Sequence, residues 1–497
     1  MASSRIIRVD IKQPATPVRL DPLHCIGAAR ALDARRADWQ EQARRLRKEC
    51  GFRYLRFHGL YDDAFGLCKR DTATRQLRFN FTNVDTAYDA VLAAGLKPFV
   101  ELGLMPAALA SGEKTSFWWM HNVTPPREIS EWEQLIEATL RHWVARYGIE
   151  EVSSWYFEVW NEPNLGCFWT GTPEDYLRLY EVTAHAVKRV SPRLRVGGPS
   201  SAGNGGTKEL LDYCARTGAP LDFVSNHGYG SKQEPDVWGT KDLVLDARPE
   251  SCIDCFSETR AWIDASAFPG VEFHLTEFGP SWAMYDPIKD THYAAAWMAY
   301  KLKQLEPLVD SCSYWTFTDI FEEPAPVPGA FPGLFGACNI HGLRKPVWHL
   351  YALLKRLSSQ PLASNDSASW AAGDAAGVRV LWFDHRFPNP GTNKQHFTRP
   401  AAEPQIEPAL IEIYGLAPGR WRVVRTRVGR GSNDVYGDWI DAGAPNDLTP
   451  LILERLSARN SLACELLSCV EVGADGVLRH EAPMCANDLC LLECEPA

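Results

Sequence analysis

From about residue 20 onward, short apolar or β-branched runs alternate with stretches of helical periodicity, and this alternation restricts the fold more than any other feature of the chain. The apolar runs cover residues 24–29, 54–58, 97–102, 155–161, 195–198, 223–227, 272–277 and 313–318. Helical signals separate them. Residues 35–50 carry arginines and a lysine on one face, and 83–94 starts at Asn83 as a cap and stops at Gly95. Residues 130–147 open with Ser130 and Glu133 at capping-box spacing, 173–190 open on Thr172 and Pro173, and 290–306 and 346–357 close the series. A strand followed by a crossover helix is a parallel unit, and eight such strands fit a closed (β/α)8 TIM barrel better than an open sheet.

The pattern changes after Ser358. Residues 358–370 are small and polar and read as a linker, and 377–384, 410–415 and 420–428 have β character, with the turn LAPG between the last two. Residues 385–408, rich in Pro and Asn, read as a long surface loop, 449–470 as helix, and 489–494 as a final strand. The expected organisation is α/β: a barrel over residues 15–357 and an accessory β-sandwich of residues 358–497, completed by residues 1–14, where RIIRVDI alternates as a strand.

Net charge is -10 with both signs interspersed, which argues against a nucleic-acid partner and suits a neutral ligand. No apolar run reaches the roughly 18 residues of a membrane span, so no membrane partner is expected. Residues 1–17 lack the apolar core of a signal peptide, and the expected location is cytoplasmic. The 14 cysteines are scattered. Cys252 and Cys255 form a CxxC without the second pair or the histidines that zinc requires. These and the five cysteines from Cys464 to Cys494 read as reduced thiols, and neither a metal nor a cofactor is expected.

Reactive groups of a parallel barrel sit at the C-terminal ends of its strands. The fourth run, WYFEVWNEP, ends at Glu162, and the seventh, EFHLTEFG, at Glu277. Glycosidic hydrolysis needs two carboxyl groups flanking the anomeric carbon: one protonates the departing oxygen, and in a retaining enzyme the other attacks, at a separation of about 5–5.5 Å. Pro163 favours an extended Glu162. Asn161 can offer its amide to the sugar 2-hydroxyl. Glu162 is then the candidate acid/base, its pKa raised by an aromatic mouth, and Glu277 the nucleophile, with Tyr229 placed to hydrogen-bond it. Strict alternation would put Asn161 and Glu162 on opposite faces, so both serve only if the strand ends there.

The segments RFHGLYDD (56–63), FEVWNEPNL (157–165), SNHGYG (225–230), HLTEFGPSW (274–282) and YWTFTDIFEE (314–323) together resemble glycoside hydrolase family 39, which contains β-xylosidases and α-L-iduronidases. The resemblance covers most of the chain. It implies a barrel with a β-sandwich that borrows the N-terminus, Glu162 as acid/base and Glu277 as nucleophile. It also implies sugar contacts at His58, Asn161, His227, Tyr229, Trp315 and the pair Glu322 and Glu323, with Glu323 the preferred member. Trp315 would be an aromatic floor, and Trp118, Trp119, Trp160, Trp169 and Trp282 would shape the entrance.

The expected reaction is retaining, exo-acting release of β-D-xylose from xylo-oligosaccharides, with α-L-arabinose as a second pentose whose ring hydroxyls superimpose. An α-L-iduronidase would need a cation for the iduronate carboxylate. Arg344 and Lys345 follow the eighth run but read as helix-entry residues. An exopolysaccharide glycosidase would show a long open groove. Retention of both glutamates argues against a non-catalytic sugar-binding barrel. A monomer or small homo-oligomer is expected.

Overall fold

The computed structural model describes residues 5–235, 241–386, 397–399 and 402–497. Eight parallel strands close a barrel in chain order: Cys25–Arg30, Tyr54–His58, Lys97–Leu102, Tyr156–Val159, Arg195–Ala202, Phe223–Tyr229, Glu272–Gly279 and Ser311–Tyr314. Around them run the helices Ala37–Cys50, Thr82–Ala93, Ile129–Tyr147, Pro173–Val190, Thr207–Thr217, Ile253–Ala265, His292–Leu305 and Pro346–Arg356. The (β/α)8 TIM barrel expected from the alternation is therefore the observed one.

Local details differ. Asn83 lies inside its helix, where Nδ2 donates to Phe65 O, while Asn80 Oδ1 accepts from the Thr82 N–H at the helix start. Ser130 makes no cap because Ile129 is already helical; Glu133 instead pairs with Arg189 of the next helix. The capping box forms at Thr172 and Asp175, behind Pro173. The eighth strand ends at Tyr314, so Trp315 and Thr316 leave it toward the barrel mouth.

The barrel interior is layered because inward side chains recur every second residue. At the bottom, Tyr54, Phe99, Tyr156, Phe223 and His274 pack ring against ring, with Phe99 stacked on Tyr156 at 4.8 Å between centroids. Gly197 makes room there: a Cβ would lie 2.2 Å from Phe223 O. One step up, Arg56, Glu101, Glu158 and Thr276 form a dry polar layer, each at most 1% exposed. The top layer opens to the cavity described below.

Beyond the barrel lies one nine-stranded sheet, in the order Glu465–Val472, Gly419–Val428, Leu489–Pro496, Gly377–Phe383, Ser369–Asp374, Pro361–Ser364, Arg5–Pro14, Gln405–Tyr414 and Leu478–Cys485. Arg5–Pro14 runs parallel to Gln405–Tyr414, with Ile7 opposite Ile411, and antiparallel to Pro361–Ser364. The first and last strands of the sheet approach each other, so it wraps around a core of Ile7, Val9, Trp382, Ile411, Trp421 and Leu492. The expected sandwich thus takes the form of one continuous sheet folded over its own core.

Residues 358–370 are not a free linker. Ser358 follows the last barrel helix, and the chain enters the sheet at Pro361. The expected helix over 449–470 stops at Arg459, and Glu465–Val472 pairs with Gly419–Val428 as a strand. Of the expected loop 385–408, residues 387–396 and 400–401 lie outside the described residues, and 405–408 already belong to a strand.

Candidate active site

The site begins one layer down, at Arg56. Tyr54, Arg56 and His58 alternate inward along the second strand, so the guanidinium rises through the barrel axis, fully buried. Its Nε donates to Glu158 Oε2 at 2.6 Å, Nη1 to Glu277 Oε1 at 2.9 Å, and Nη2 to Asn161 Oδ1 at 2.8 Å and Ser200 Oγ at 3.1 Å. Nη2 also lies 3.0 Å from Glu101 Oε2. One cation thus ties strands two, three, four, five and seven together. Burial opposes the charge of Glu158, yet the adjacent Arg56 outweighs it and holds that carboxyl below its usual range. At Glu101 burial prevails over Arg56 and raises the pKa to about 8.

Glu162 and Glu277 reach the same cavity by different departures from strand geometry. The fourth strand stops at Val159, and both Trp160 (φ 73°) and Glu162 (φ 43°) then take positive φ. Glu162 is therefore not extended as its proline neighbour suggests. The turn is held by Glu162 N–H donating to Ser200 O at 2.9 Å, and it brings Asn161 and Glu162 to one cavity. On the seventh strand, register shifts against both neighbours fall between Leu275 and Phe278, which lets Thr276 and Glu277 both face inward.

One carboxylate oxygen of Glu162 and one of Glu277 lie within 4.8 Å of each other. Tyr229 donates its hydroxyl to Glu277 Oε2 at 2.7 Å. His227 sits between the acids, its Nδ1 2.9 Å from Glu162 Oε1 and 3.7 Å from Glu277 Oε2. These atoms are close enough to meet one cation; within the cluster Glu162 and His227 bond each other, and Glu277 accepts from Tyr229 and Arg56. Glu162 is buried, and burial raises its pKa to about 7. The same cause lowers both His58 and His227 to about 4.

His58, Asn161, Glu162, Tyr229, Glu277, Trp315 and Glu323 line a cavity of about 570 Å³, together with Leu165, Cys167, Phe168, Trp282, Met284 and Phe335. The structure separates the acidic pair that follows the eighth strand. Glu323 is buried in the lining, with Oε1 lacking a hydrogen-bond partner among the described residues and 3.8 Å from His58 Nε2. Glu322 stands outside the cavity, 3.7 Å from Arg36, so it does not share the position expected of it. Burial, aided by Glu277, raises the Glu323 pKa well above the ordinary value. Trp315 lies against His58, 4.7 Å between ring centroids. It fits because position 27 is glycine: a Cβ there would be 2.2 Å from its ring.

The tryptophans divide likewise. Trp282 is 45% exposed at the rim, and Trp118, 53% exposed, is tied to Glu323 through its backbone N–H. Phe117 stacks on both His58 and Trp119. Trp160 and Trp169 are buried in the wall instead, their indole N–H groups bonded to Phe168 O and Thr172 O. Sequence reasoning missed Arg56, Ser200, Thr276 and Phe335. For Arg56 a signal existed, since it shares the inward face of His58; Ser200 (φ 57°) has none, being set by tertiary contacts.

The model of glycosyl hydrolases family 39 matches residues 5–450. A β-xylosidase of Geobacillus stearothermophilus is 40% identical over 72% of this chain and 73% of its own length. The crystal structure of a GH39 enzyme from Xanthomonas axonopodis pv. citri superposes with a TM-score of 0.95 at 38% identity, covering 100% of this chain and 98% of that one. That of a monomeric β-xylosidase from Caulobacter crescentus gives 0.94 at 37% identity, covering 99% of this chain and 100% of that one.

Proposed function

The chain belongs to glycosyl hydrolases family 39, and we propose that it is a retaining exo-β-xylosidase acting on the non-reducing end of xylo-oligosaccharides. The observation that carries this reading is the pairing of Glu162 and Glu277 within 4.8 Å in one cavity, each with a different partner. This spacing suits direct attack rather than attack by an interposed water, for which inverting enzymes need about 6.5–9.5 Å.

In the first step a Glu277 oxygen bonds to C1 as the bond from C1 to the glycosidic oxygen breaks, and Glu162 passes its proton to that oxygen. In the second, water adds to C1, its proton goes to Glu162 and the ester to Glu277 opens. Two inversions return β-D-xylose. Arg56 and Tyr229 orient Glu277 through their hydrogen bonds. Because Asn161 accepts from Arg56 through Oδ1, its amide nitrogen is left for a sugar hydroxyl. The unpartnered oxygen of Glu323 supports a second hydroxyl contact, and Trp315 a ring-stacking one.

Two further features favour a neutral pentose. No lysine or arginine is among the described residues that line the cavity, and Arg56, fully buried beneath it, is engaged by Glu158, Glu277, Asn161, Ser200 and Glu101, so an iduronate carboxylate finds no counter-ion among them. A walled cavity also suits a chain end better than the middle of a polymer. α-L-Arabinose remains a second candidate glycon. The similar β-xylosidase of Caulobacter crescentus is described as monomeric, which supports a monomer here. We assign residues 15–357 to the catalytic domain and 1–14 with 358–497 to the accessory domain, a division supported by the pairing of Arg5–Pro14 within the outer sheet. The 14 cysteines are all free, which supports a reducing, cytoplasmic address. No described helix is long and apolar enough to cross a membrane.

Proton NMR of xylobiose hydrolysis tests this reading: the first-formed xylose should be the β-anomer, and an α-anomer or no turnover would overturn it. The raised pKa of Glu162 adds a second expectation. Only its protonated form donates, so kcat/KM should fall as pH rises through about 7. In Glu162→Ala that alkaline limb should vanish, and azide should restore turnover of an activated aryl xyloside as xylosyl azide. An unchanged limb would assign the proton to another group.

A further inference from the structure

The hydrogen bonds around His227 identify which ring nitrogen carries the proton. Nε2 lies 2.9 Å from Ser200 Oγ and 3.1 Å from Thr276 Oγ1, while Nδ1 lies 2.9 Å from Glu162 Oε1. Thr276 has a single hydroxyl proton and donates it to Glu158 Oε1 at 2.8 Å. Glu158 is the carboxylate gripped by Arg56, so this donation goes to a fixed anion. Toward His227 the Thr276 oxygen is thereby left only as an acceptor. An Nε2–H group satisfies it and Ser200 together. The other tautomer would let Ser200 donate, but would oppose two lone pairs across the 3.1 Å between Nε2 and Thr276. Burial, against the pull of Glu277 and with the help of Arg56, keeps the ring neutral, so a proton on Nε2 means none on Nδ1.

We infer that Thr276 is a positioning residue that locks His227 in its Nε2–H tautomer, so that Nδ1 accepts a hydrogen bond from the protonated carboxyl of Glu162 and keeps the acid loaded. The inference rests on the reading of Glu162 as proton donor. It deepens that reading by accounting for the held proton with a chain of hydrogen bonds anchored at Arg56: Thr276 donates to Glu158, His227 to Thr276, and Glu162 to His227. Once Glu162 has protonated the departing oxygen, its carboxylate faces the Nδ1 lone pair. Regaining a proton from the water that adds to C1 restores the bond, so the same contact that holds the acid drives the base of the second step.

Other titratable and charged groups face Glu162 from several elements. Arg56 and His58 come from the second strand, Glu101 from the third and Tyr229 from the sixth. Glu277 comes from the seventh, Glu323 from beyond the eighth, and Cys167 from the loop of Glu162 itself. His227 in turn faces Arg56, Glu158, Glu277, His58 and Glu101. The Thr276 side chain hydrogen-bonds only His227 and Glu158 among the described residues, so replacing it changes the tautomer lock while leaving those charges in place.

Thr276→Val keeps the shape and removes the hydroxyl. Freed from the lock, His227 can carry its proton on Nδ1 and donate to the Glu162 carboxylate, which favours the ionised form. The alkaline limb of kcat/KM is expected to move down by about one pH unit. Thr276→Ser should restore it. Nitrogen-15 spectra of histidine-labelled protein, with His227 assigned by its loss in His227→Asn, should show the Nε2–H tautomer in the wild type and Nδ1–H signal in Thr276→Val. A wild-type Nδ1–H tautomer would overturn the inference, even if the valine variant does not fold. So would a valine variant with lower kcat but an unmoved alkaline limb. Failure of azide rescue in Glu162→Ala would instead remove the acid assignment and leave the tautomer reading intact.

Discussion

Replacing Glu277 with Gln is expected to lower kcat on an aryl β-xyloside by at least about 10⁴-fold while leaving xylose binding within a few-fold of wild type. The amide has nearly the size of the carboxylate and can still accept from Arg56 Nη1 through its oxygen. It cannot form the ester to C1, so the double displacement loses its first covalent step. Binding is expected to be spared because the contacts proposed for Trp315, Asn161 and Glu323 come from other elements of the cavity. Steady-state rates and xylose titration calorimetry measure the two effects separately. A 2-deoxy-2-fluoro-xyloside, which slows hydrolysis of the intermediate, should add its glycosyl mass to the peptide containing Glu277 in the wild type and not in the variant. Label on another carboxylate, or retained turnover, would remove Glu277 from the role.

The second large effect is on stability. Arg56→Met is expected to cost about 3–5 kcal/mol at neutral pH, the usual outcome when one partner of a buried ion network is removed. Methionine fills much of the arginine stem but leaves Glu158 and Glu277 in the same dry interior without their cation. The pH dependence has a definite sign. In the wild type, Glu158 is held below its usual pKa, so its contribution is present above the unfolded-state pKa and is lost as pH falls through the folded value. In the variant the Glu158 carboxyl, now uncompensated, is relieved when it takes up a proton. The gap between the two proteins should be widest near about pH 8 and narrow toward about pH 5. Urea unfolding across that range reads it directly; a gap that widens on acidification would show that Arg56 does not hold the acids.

How much of this could be read beforehand depended on whether the cause was local. The barrel strands were legible because β-branched runs and their spacing are properties of short segments, and the starts of Tyr54–His58 and Lys97–Leu102 coincide with the expected ones. Thr172 worked as a cap because Pro173 and Asp175 belong to the same turn. Ser130 failed because the helix has already begun at Ile129, with Glu128 at the cap position. The segment 461–470 lacks an unambiguous period, and its pairing with Gly419–Val428 made it a strand. Within the site, Glu162, Glu277 and Tyr229 were visible from residue type and strand end. Arg56 was overlooked because a charged residue inside a barrel is costly until its partners on four other strands are known. The choice between Glu322 and Glu323 turned on which way a loop faces, and Glu162's positive φ on a backbone contact to Ser200.

The strand Arg5–Pro14 has a consequence for how the chain is made. It is made before the barrel, yet one of its two neighbours in the sheet, Gln405–Tyr414, lies some four hundred residues downstream. The barrel can assemble from consecutive strands, each paired with the one synthesised just before it. The outer sheet cannot. Until that late partner arrives, an alternating apolar strand with Ile7 and Val9 on one face must wait at the margin of an otherwise finished barrel, its edge open to the wrong partner. Without it, Pro361–Ser364 and Gln405–Tyr414 lose the neighbour they share and the remaining eight strands separate into six and two. Completion of the second unit is therefore a long-range closure across the whole barrel segment, and it can come only after every barrel strand has been made.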